Sequence, residues 1–125
     1  MTERVIKLID GKNFAYLATL LPDGSPHVTP MWVDHEGGML LMNTAIGRVK
    51  QRNITGDPRV SITIVDSNNP YDRIIIHGRV VSQTEHGADA HIDKLAMKYT
   101  GANKYQKASP SEKRVIIKIE PLQIL

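Results

Sequence analysis

The 125-residue chain contains no cysteine, which excludes structural disulfides and thiolate metal sites and is compatible with a reducing compartment. Aromatic residues are scarce, with one phenylalanine, one tryptophan and four tyrosines, so the core must be mainly aliphatic. Hydrophobic residues nevertheless make up 41% of the chain, which is enough for one hydrophobic core. We therefore expect a single domain over residues 1–125.

Long apolar runs are also missing. No stretch approaches the roughly 20 residues that cross a bilayer, and the N-terminus carries no apolar stretch of signal-peptide length. The net charge is only +3, and the basic residues are not interleaved with stacking aromatic side chains. These absences predict a soluble, cytoplasmic protein that binds neither membranes nor nucleic acids.

The signatures of several catalytic classes are absent too. The chain has no G-x-S-x-G nucleophile elbow and no P-loop motif, and its five histidines show no metal-ligand spacing such as H-E-x-x-H. Hydrolysis by a serine nucleophile and P-loop chemistry are therefore unsupported, and we expect no metal site.

Apolar periodicity and turn residues predict about six antiparallel strands and about three short helices. Strands are expected at residues 14–20, 26–34, 39–43, 59–66, 73–84 and 113–119. Helices are expected at residues 2–10, 46–55 and 87–100. The first three strands are predicted to form a meander. Residues 67–72 are predicted to form a polar loop, and the last strand is predicted to stop at Pro121. Many short strands with few helices favour a mainly β barrel, because closure removes exposed strand edges.

The basic segment 43–53 is the first candidate site, because it lies where a strand is predicted to end and a helix to begin. Helix N-termini bind phosphates and carboxylates, Gly47 would let a ligand approach the backbone, and Arg48 and Lys50 would add charged donors. A solvated helix face explains the same charge spacing equally well.

The strand around Pro26 and Pro30 is the second candidate. Proline cannot donate to a sheet ladder, so this strand must be an edge or must bulge at Pro30, which would leave a neighbouring backbone group free for a ligand. Trp32, the only tryptophan, follows two residues later. An ordinary edge strand with a core tryptophan is the alternative.

Four stretches in this order resemble the pyridoxamine 5′-phosphate oxidase-like superfamily of split β-barrel flavoproteins, and most closely its short branch of enzymes that depend on the deazaflavin coenzyme F420. The stretches are FAYLATLLPDGSPHVTPMWV, NTAIGRVKQRNITGDPRVSITIV, NPYDRIIIHGRVV and HIDKLAMKYTGANKY. The resemblance implies an FMN-binding split-barrel type of fold and a homodimer with cofactor sites at the subunit interface.

The resemblance also implies which residues hold the cofactor. Lys50 matches the lysine that holds the cofactor phosphate. Neighbouring polar positions of the phosphate helix are matched by Arg48, Thr44 and Asn53. The strand along the cofactor ring is matched by Thr29, Pro30, Met31 and Trp32.

Two departures from pyridoxamine phosphate oxidases favour coenzyme F420 over FMN: Val49 replaces the arginine that usually precedes the lysine, and the chain ends at Leu125 without a longer substrate-binding part. The implied activity is hydride transfer from reduced coenzyme F420 to a small conjugated or unsaturated acceptor. The alternatives are an FMN flavoprotein, a cofactor carrier without turnover, and a haem-binding protein that uses His77. Candidate proton donors are Tyr16, His27 and Tyr71.

Overall fold

The computed structural model describes all residues 1–125 and contains seven strands and three helices. The strands are β1 (Ala15–Leu20), β2 (Pro26–Met31), β3 (Asp34–Glu36), β4 (Met39–Ala45), β5 (Arg59–Asp66), β6 (Asn69–Thr84) and β7 (Arg114–Ile124). The helices are α1 (Glu3–Asp10), α2 (Val49–Gly56) and α3 (Ala88–Thr100). None of the helices is both long enough and apolar enough to cross a membrane.

All seven strands belong to one antiparallel sheet with the order β2-β1-β5-β6-β7-β4-β3. β2 and β3 lie at opposite ends of this order, yet only Trp32 and Val33 separate them along the chain. The sheet must therefore curl until its two ends approach each other. β3 pairs only with residues 39–41 of β4, so residues 42–45 have no strand on that side. The barrel is consequently split between β2 and β4.

The barrel interior is aliphatic, as the composition predicts. A cluster of 18 buried residues fills it, and alternate residues of β5 and β6, such as Ile62, Ile64 and Ile76, are fully buried there. α1 adds three buried side chains to the core region, and its first turn is capped by Thr2, whose hydroxyl accepts the Val5 N–H at 3.4 Å. The predicted mainly β split-barrel fold is confirmed.

Residues 26–34 were expected to form one strand, and this prediction is wrong. The strand ends at Met31 and a new one begins at Asp34, because the chain must leave one edge of the curled sheet and enter the other. The predicted three-strand meander is wrong for the same reason: β2 pairs with β1, whereas β4 pairs with β3 and β7.

Two further boundaries differ from the predictions. The expected polar loop at 67–72 is a tight turn, in which Asp66 Oδ1 accepts the Asn68 N–H at 2.7 Å and Asn69 already pairs with Asp66. Pro121 does not end the last strand. It lies opposite Gly78 at a shift of register, where its missing N–H is tolerated.

Gly78→Ala tests the tight contact at this register shift. An added Cβ would lie 2.8 Å from Ile119 Cγ2 and 2.9 Å from the Glu120 carbonyl oxygen, so we expect a loss of about 1–3 kcal/mol in the free energy of unfolding, measured with urea. Gly56→Ala is the control, because nothing lies within 4 Å of its added Cβ. Equal stabilities for the two variants would contradict the packing described at Gly78.

Candidate functional site

A cavity of about 180 Å³ opens in the split of the barrel. Its walls come from the ends of β2 and β4, the start of α2, one face of α3 and the start of β7. Its lining combines cationic and aromatic side chains, and the two groups meet where the Arg114 guanidinium lies over the Tyr105 ring, 4.7 Å from the ring centroid. The cationic end is formed by Thr44, Arg48, Lys50 and Arg114, and the aromatic end by Phe14, Trp32 and Tyr105.

The cationic end carries three positive side chains and one carboxylate. Glu112 pairs with both arginines, at 3.2 Å from Arg48 Nη2 and 3.2 Å from Arg114 Nη1. Lys50 has no ion-pair partner, and its pKa is lowered by burial and by the neighbouring charges of Arg48 and Arg114. A half-buried, unpaired ammonium close to two guanidinium groups is a site that a bound anion would stabilise.

The first turn of α2, which includes Lys50, adds backbone donors. Gly47 has a φ of 94°, which only glycine adopts readily, and this conformation ends the extended β4 segment. The helix was predicted to begin at residue 46, but it begins at Val49 because Gly47 cannot be helical in this conformation. No side chain caps the first turn, so its N–H groups are available to an anion.

Unpaired polar atoms border the split on both sides. The three buried side-chain atoms without a hydrogen-bond partner are His27 Nδ1, Thr29 Oγ1 and Thr44 Oγ1. The first two belong to β2 and the third to β4, and Thr44 lines the cavity. Because buried polar atoms in folded proteins are normally hydrogen-bonded, this concentration at the split indicates a ligand or a partner chain.

The aromatic end includes a stack of rings that is held in place by hydrogen bonds of the Tyr99 hydroxyl. Trp32 lies parallel to Tyr99 at 5.4 Å between ring centroids, and Phe14 lies 5.9 Å from the same ring. Tyr105 meets Trp32 edge-on at 6.3 Å. The Tyr99 hydroxyl donates to the Asn13 carbonyl at 2.7 Å and accepts the Val33 N–H, and burial raises its pKa. Four of the six aromatic residues thus form one cluster, of which Phe14, Trp32 and Tyr105 line the cavity.

Six of the eight cofactor residues expected from the resemblance line this one cavity. They are Thr44, Arg48, Lys50, Pro30, Met31 and Trp32. Thr29 is not among its lining residues and lies on β2 with an unpaired hydroxyl. Asn53 also lies outside the cavity: it is buried, and its Nδ2 donates to Thr19 Oγ1 at 3.0 Å, a contact that anchors α2 to β1.

The other candidate residues lie outside the cavity. Tyr16 is on β1 and partly exposed, Tyr71 is 87% exposed at the start of β6, and His77 is exposed in the middle of β6. His27 is on β2 and contributes one of the unpaired buried atoms.

Arg114 and its partner Glu112 were not selected as candidates from the sequence, whereas Asn43 lies within the candidate segment 43–53. Arg114, Glu112 and Asn43 are brought together because β7 pairs with β4, with Asn43 opposite Ile116 and Ala45 opposite Arg114. The only local signal for these residues is that Glu112 and Arg114 are charged and stand at the start of the last strand. No local sequence pattern indicates that β7 pairs with β4.

The fold and the cavity together define a split β-barrel protein whose pocket combines cationic and aromatic side chains between its unpaired strand edges. The family model for pyridoxamine 5′-phosphate oxidase matches residues 1–125. The chain therefore belongs to the pyridoxamine 5′-phosphate oxidase family, and the expected superfamily is confirmed.

Solved structures agree with this assignment. A structure described as an F420 reductase is 30% identical, with a TM-score of 0.82 over 95% of this chain and 94% of that one. A conserved hypothetical protein from Mycobacterium tuberculosis is 25% identical, with a TM-score of 0.73 over 99% of this chain and 82% of that one. A putative pyridoxamine 5′-phosphate oxidase from Listeria innocua is 23% identical, with a TM-score of 0.71 over 98% and 94%, and shares the fold.

Lys50→Arg tests the electrostatics of the cationic end. A bound anion favours the charged ammonium, so affinity for sulfate should fall as pH rises through the pKa of Lys50, which lies below the ordinary 10.5. The arginine variant stays charged and should keep its affinity between roughly pH 7 and roughly pH 10. The measurement is the sulfate-induced rise in Tm, with Lys12→Arg as control. Identical pH profiles for wild type and Lys50→Arg would place the sulfate elsewhere.

Proposed function

We propose that the chain is an oxidoreductase that binds coenzyme F420 in the split of the barrel and supports hydride transfer to a small conjugated or unsaturated acceptor. The main support for this proposal is Lys50, which has no ion-pair partner although Arg48 and Arg114 are close to it. The Thr44 hydroxyl, which lines the same cavity, is also unpaired. The 30% identity to a structure described as an F420 reductase supports this choice of cofactor.

The residues of the cavity fit this cofactor. Coenzyme F420 carries a phosphate and a glutamate tail. The three cations that line the cavity exceed by two charges the single carboxylate of Glu112, which pairs with the two arginines. Lys50, Arg48 and Arg114 would hold the phosphate, and Thr44 would donate to it. Pro30, Met31 and Trp32 would border the ring system.

When bound, the reduced deazaflavin supplies the hydride, so the protein needs no nucleophile of its own. The residues of the cavity would bind and orient the cofactor and exclude water from it. Trp32 and the neighbouring rings give one side of the cavity an apolar wall, and Ile92 and Leu95 of α3 extend it. Such a wall keeps the cationic end partly desolvated, which strengthens its hold on an anion.

A second copy of the chain would complete the site. β2 is an edge strand, and its side chains Val28 and Pro30 are exposed, as is Tyr16 on the adjacent strand. We therefore propose a homodimer formed on the exposed face of β1 and β2, with cofactor sites at the subunit interface.

FMN is the second candidate cofactor. The excess of two positive charges matches the dianion of a terminal phosphate, and the family model is that of pyridoxamine 5′-phosphate oxidase. Binding of FMN would make the chain a flavoprotein on the same scaffold, and binding without turnover would make it a carrier. No observation favours haem, because His77 lies outside the cavity.

Absorption and fluorescence titrations with coenzyme F420 and FMN, added separately, test the proposal. We expect binding of the deazaflavin, and a weakening of about 1.5–3 kcal/mol in Lys50→Ala because a charge-assisted hydrogen bond is lost. Lys12→Ala, an exposed lysine outside the cavity, should bind as the wild type does. Tight FMN binding without a response to the deazaflavin would overturn the cofactor choice, and binding of neither would overturn the oxidoreductase assignment.

Val28→Glu tests the proposed interface. Val28 is 58% exposed on β2, and a charge there should shift the protein from dimer to monomer in sedimentation equilibrium because an unpaired carboxylate would be buried. Met97→Glu is the matched control, since Met97 is 47% exposed on α3. A monomeric wild type, or a dimer unaffected by Val28→Glu, would exclude this interface.

A further inference from the structure

A chain of polar side chains runs from the cavity to Asp34, the first residue of β3. Arg114 Nε donates to Asn43 Oδ1 at 2.9 Å, Asn43 Nδ2 lies 3.2 Å from His91 Nδ1, and His91 Nε2 lies 3.2 Å from Asp34 Oδ2. Arg114, Asn43 and the His91 side chain are all at least nine-tenths buried. Only Arg114 and Asn43 reach the cavity, so His91 and Asp34 have no direct access to a ligand there.

The partners of Asn43 fix the orientation of its amide. A guanidinium can only donate, so the atom facing Arg114 must be the amide oxygen. On the other side, Asn43 Nδ2 donates to the Ala88 carbonyl oxygen at 2.9 Å, which can only accept. The second hydrogen of the same NH₂ group then points at His91 Nδ1, which must accept it.

This requirement fixes the tautomer of His91. Because Nδ1 accepts, the ring proton of neutral His91 lies on Nε2 and is donated to Asp34. Burial alone would raise the pKa of Asp34. Hydrogen bonds from His91, the His35 N–H and Lys94 outweigh it and hold this pKa well below the ordinary range. Asp34 is therefore a carboxylate that orients the ring.

We infer that His91 is a positioning residue for the anion end of the cavity. Neutral His91 with its proton on Nε2 holds the Asn43 amide in the orientation that seats the Arg114 guanidinium against the ligand. Without an acceptor at the Nδ1 position, Asn43 loses one of the two contacts that hold its NH₂ group, and it can turn away from Arg114. This inference rests on the proposed function, because it assigns Arg114 to the bound cofactor.

Two substitutions at one position separate positioning from simple packing. His91→Leu removes the acceptor, whereas His91→Asn places an amide oxygen near the position of Nδ1. We expect His91→Leu to weaken the affinity for the cofactor that the wild type binds by about 3- to 10-fold, the effect of one lost neutral hydrogen bond. His91→Asn should bind within about two-fold of the wild type. His86→Leu, an exposed histidine outside the cavity, is the control.

The tautomer of His91 provides a readout that needs no cofactor. A long-range ¹H–¹⁵N spectrum of the ¹⁵N-labelled wild type at neutral pH should show His91 protonated on Nε2 only. Protonation on Nδ1 would overturn the inference, as would equal cofactor affinities for His91→Leu and His91→Asn. A wild type that binds neither coenzyme F420 nor FMN would instead overturn the proposed function and leave the tautomer result standing.

Discussion

The two-residue link between β2 and β3 is the constraint on which the rest of the structure depends. Trp32 and Val33 join strands that lie at opposite ends of a seven-strand order, so the sheet cannot be flat. The curl brings β2 opposite the unpaired part of β4 and leaves the split between them. Tyr99 stabilises this junction from α3, through its contacts with Asn13 and Val33 and its stack on Trp32. The cavity is thus a consequence of how the sheet closes.

The charged side chains around the cavity give it a net positive charge. Two segments that are distant in sequence each contribute two charges: Arg48 and Lys50 lie at the start of α2, and Glu112 and Arg114 lie at the start of β7. Glu112 compensates part of the positive charge and orients both arginines, but it leaves Lys50 unpaired. Because an unpaired half-buried charge is unfavourable, the free protein carries an electrostatic cost that an anionic ligand would remove. The unpaired charge of Lys50 therefore favours anion binding and lowers the stability of the free protein.

Local signals predicted much of this fold. The strand at 59–66 has the predicted bounds, and the ends of the three helices lie within a few residues of their predicted positions. These predictions succeeded because apolar periodicity, a capping threonine and stop signals such as Gly101 each act within one element. The break at Trp32 was missed because it depends on closure of the whole sheet. Arg114 and His91 were missed for a related reason: they reach the cavity or its support only through the pairing of β4 with β7 and the packing of α3.

We propose that an anionic ring-containing cofactor occupies the split between β2 and β4. A backbone ¹H–¹⁵N spectrum recorded during titration with coenzyme F420, and separately with FMN, tests this most directly. We expect the largest shifts at residues 29–32 and 43–51, which border the split from both sides. Shifts confined to the open groove beside α1, which is lined by Arg4, Lys7 and Lys12, would contradict it.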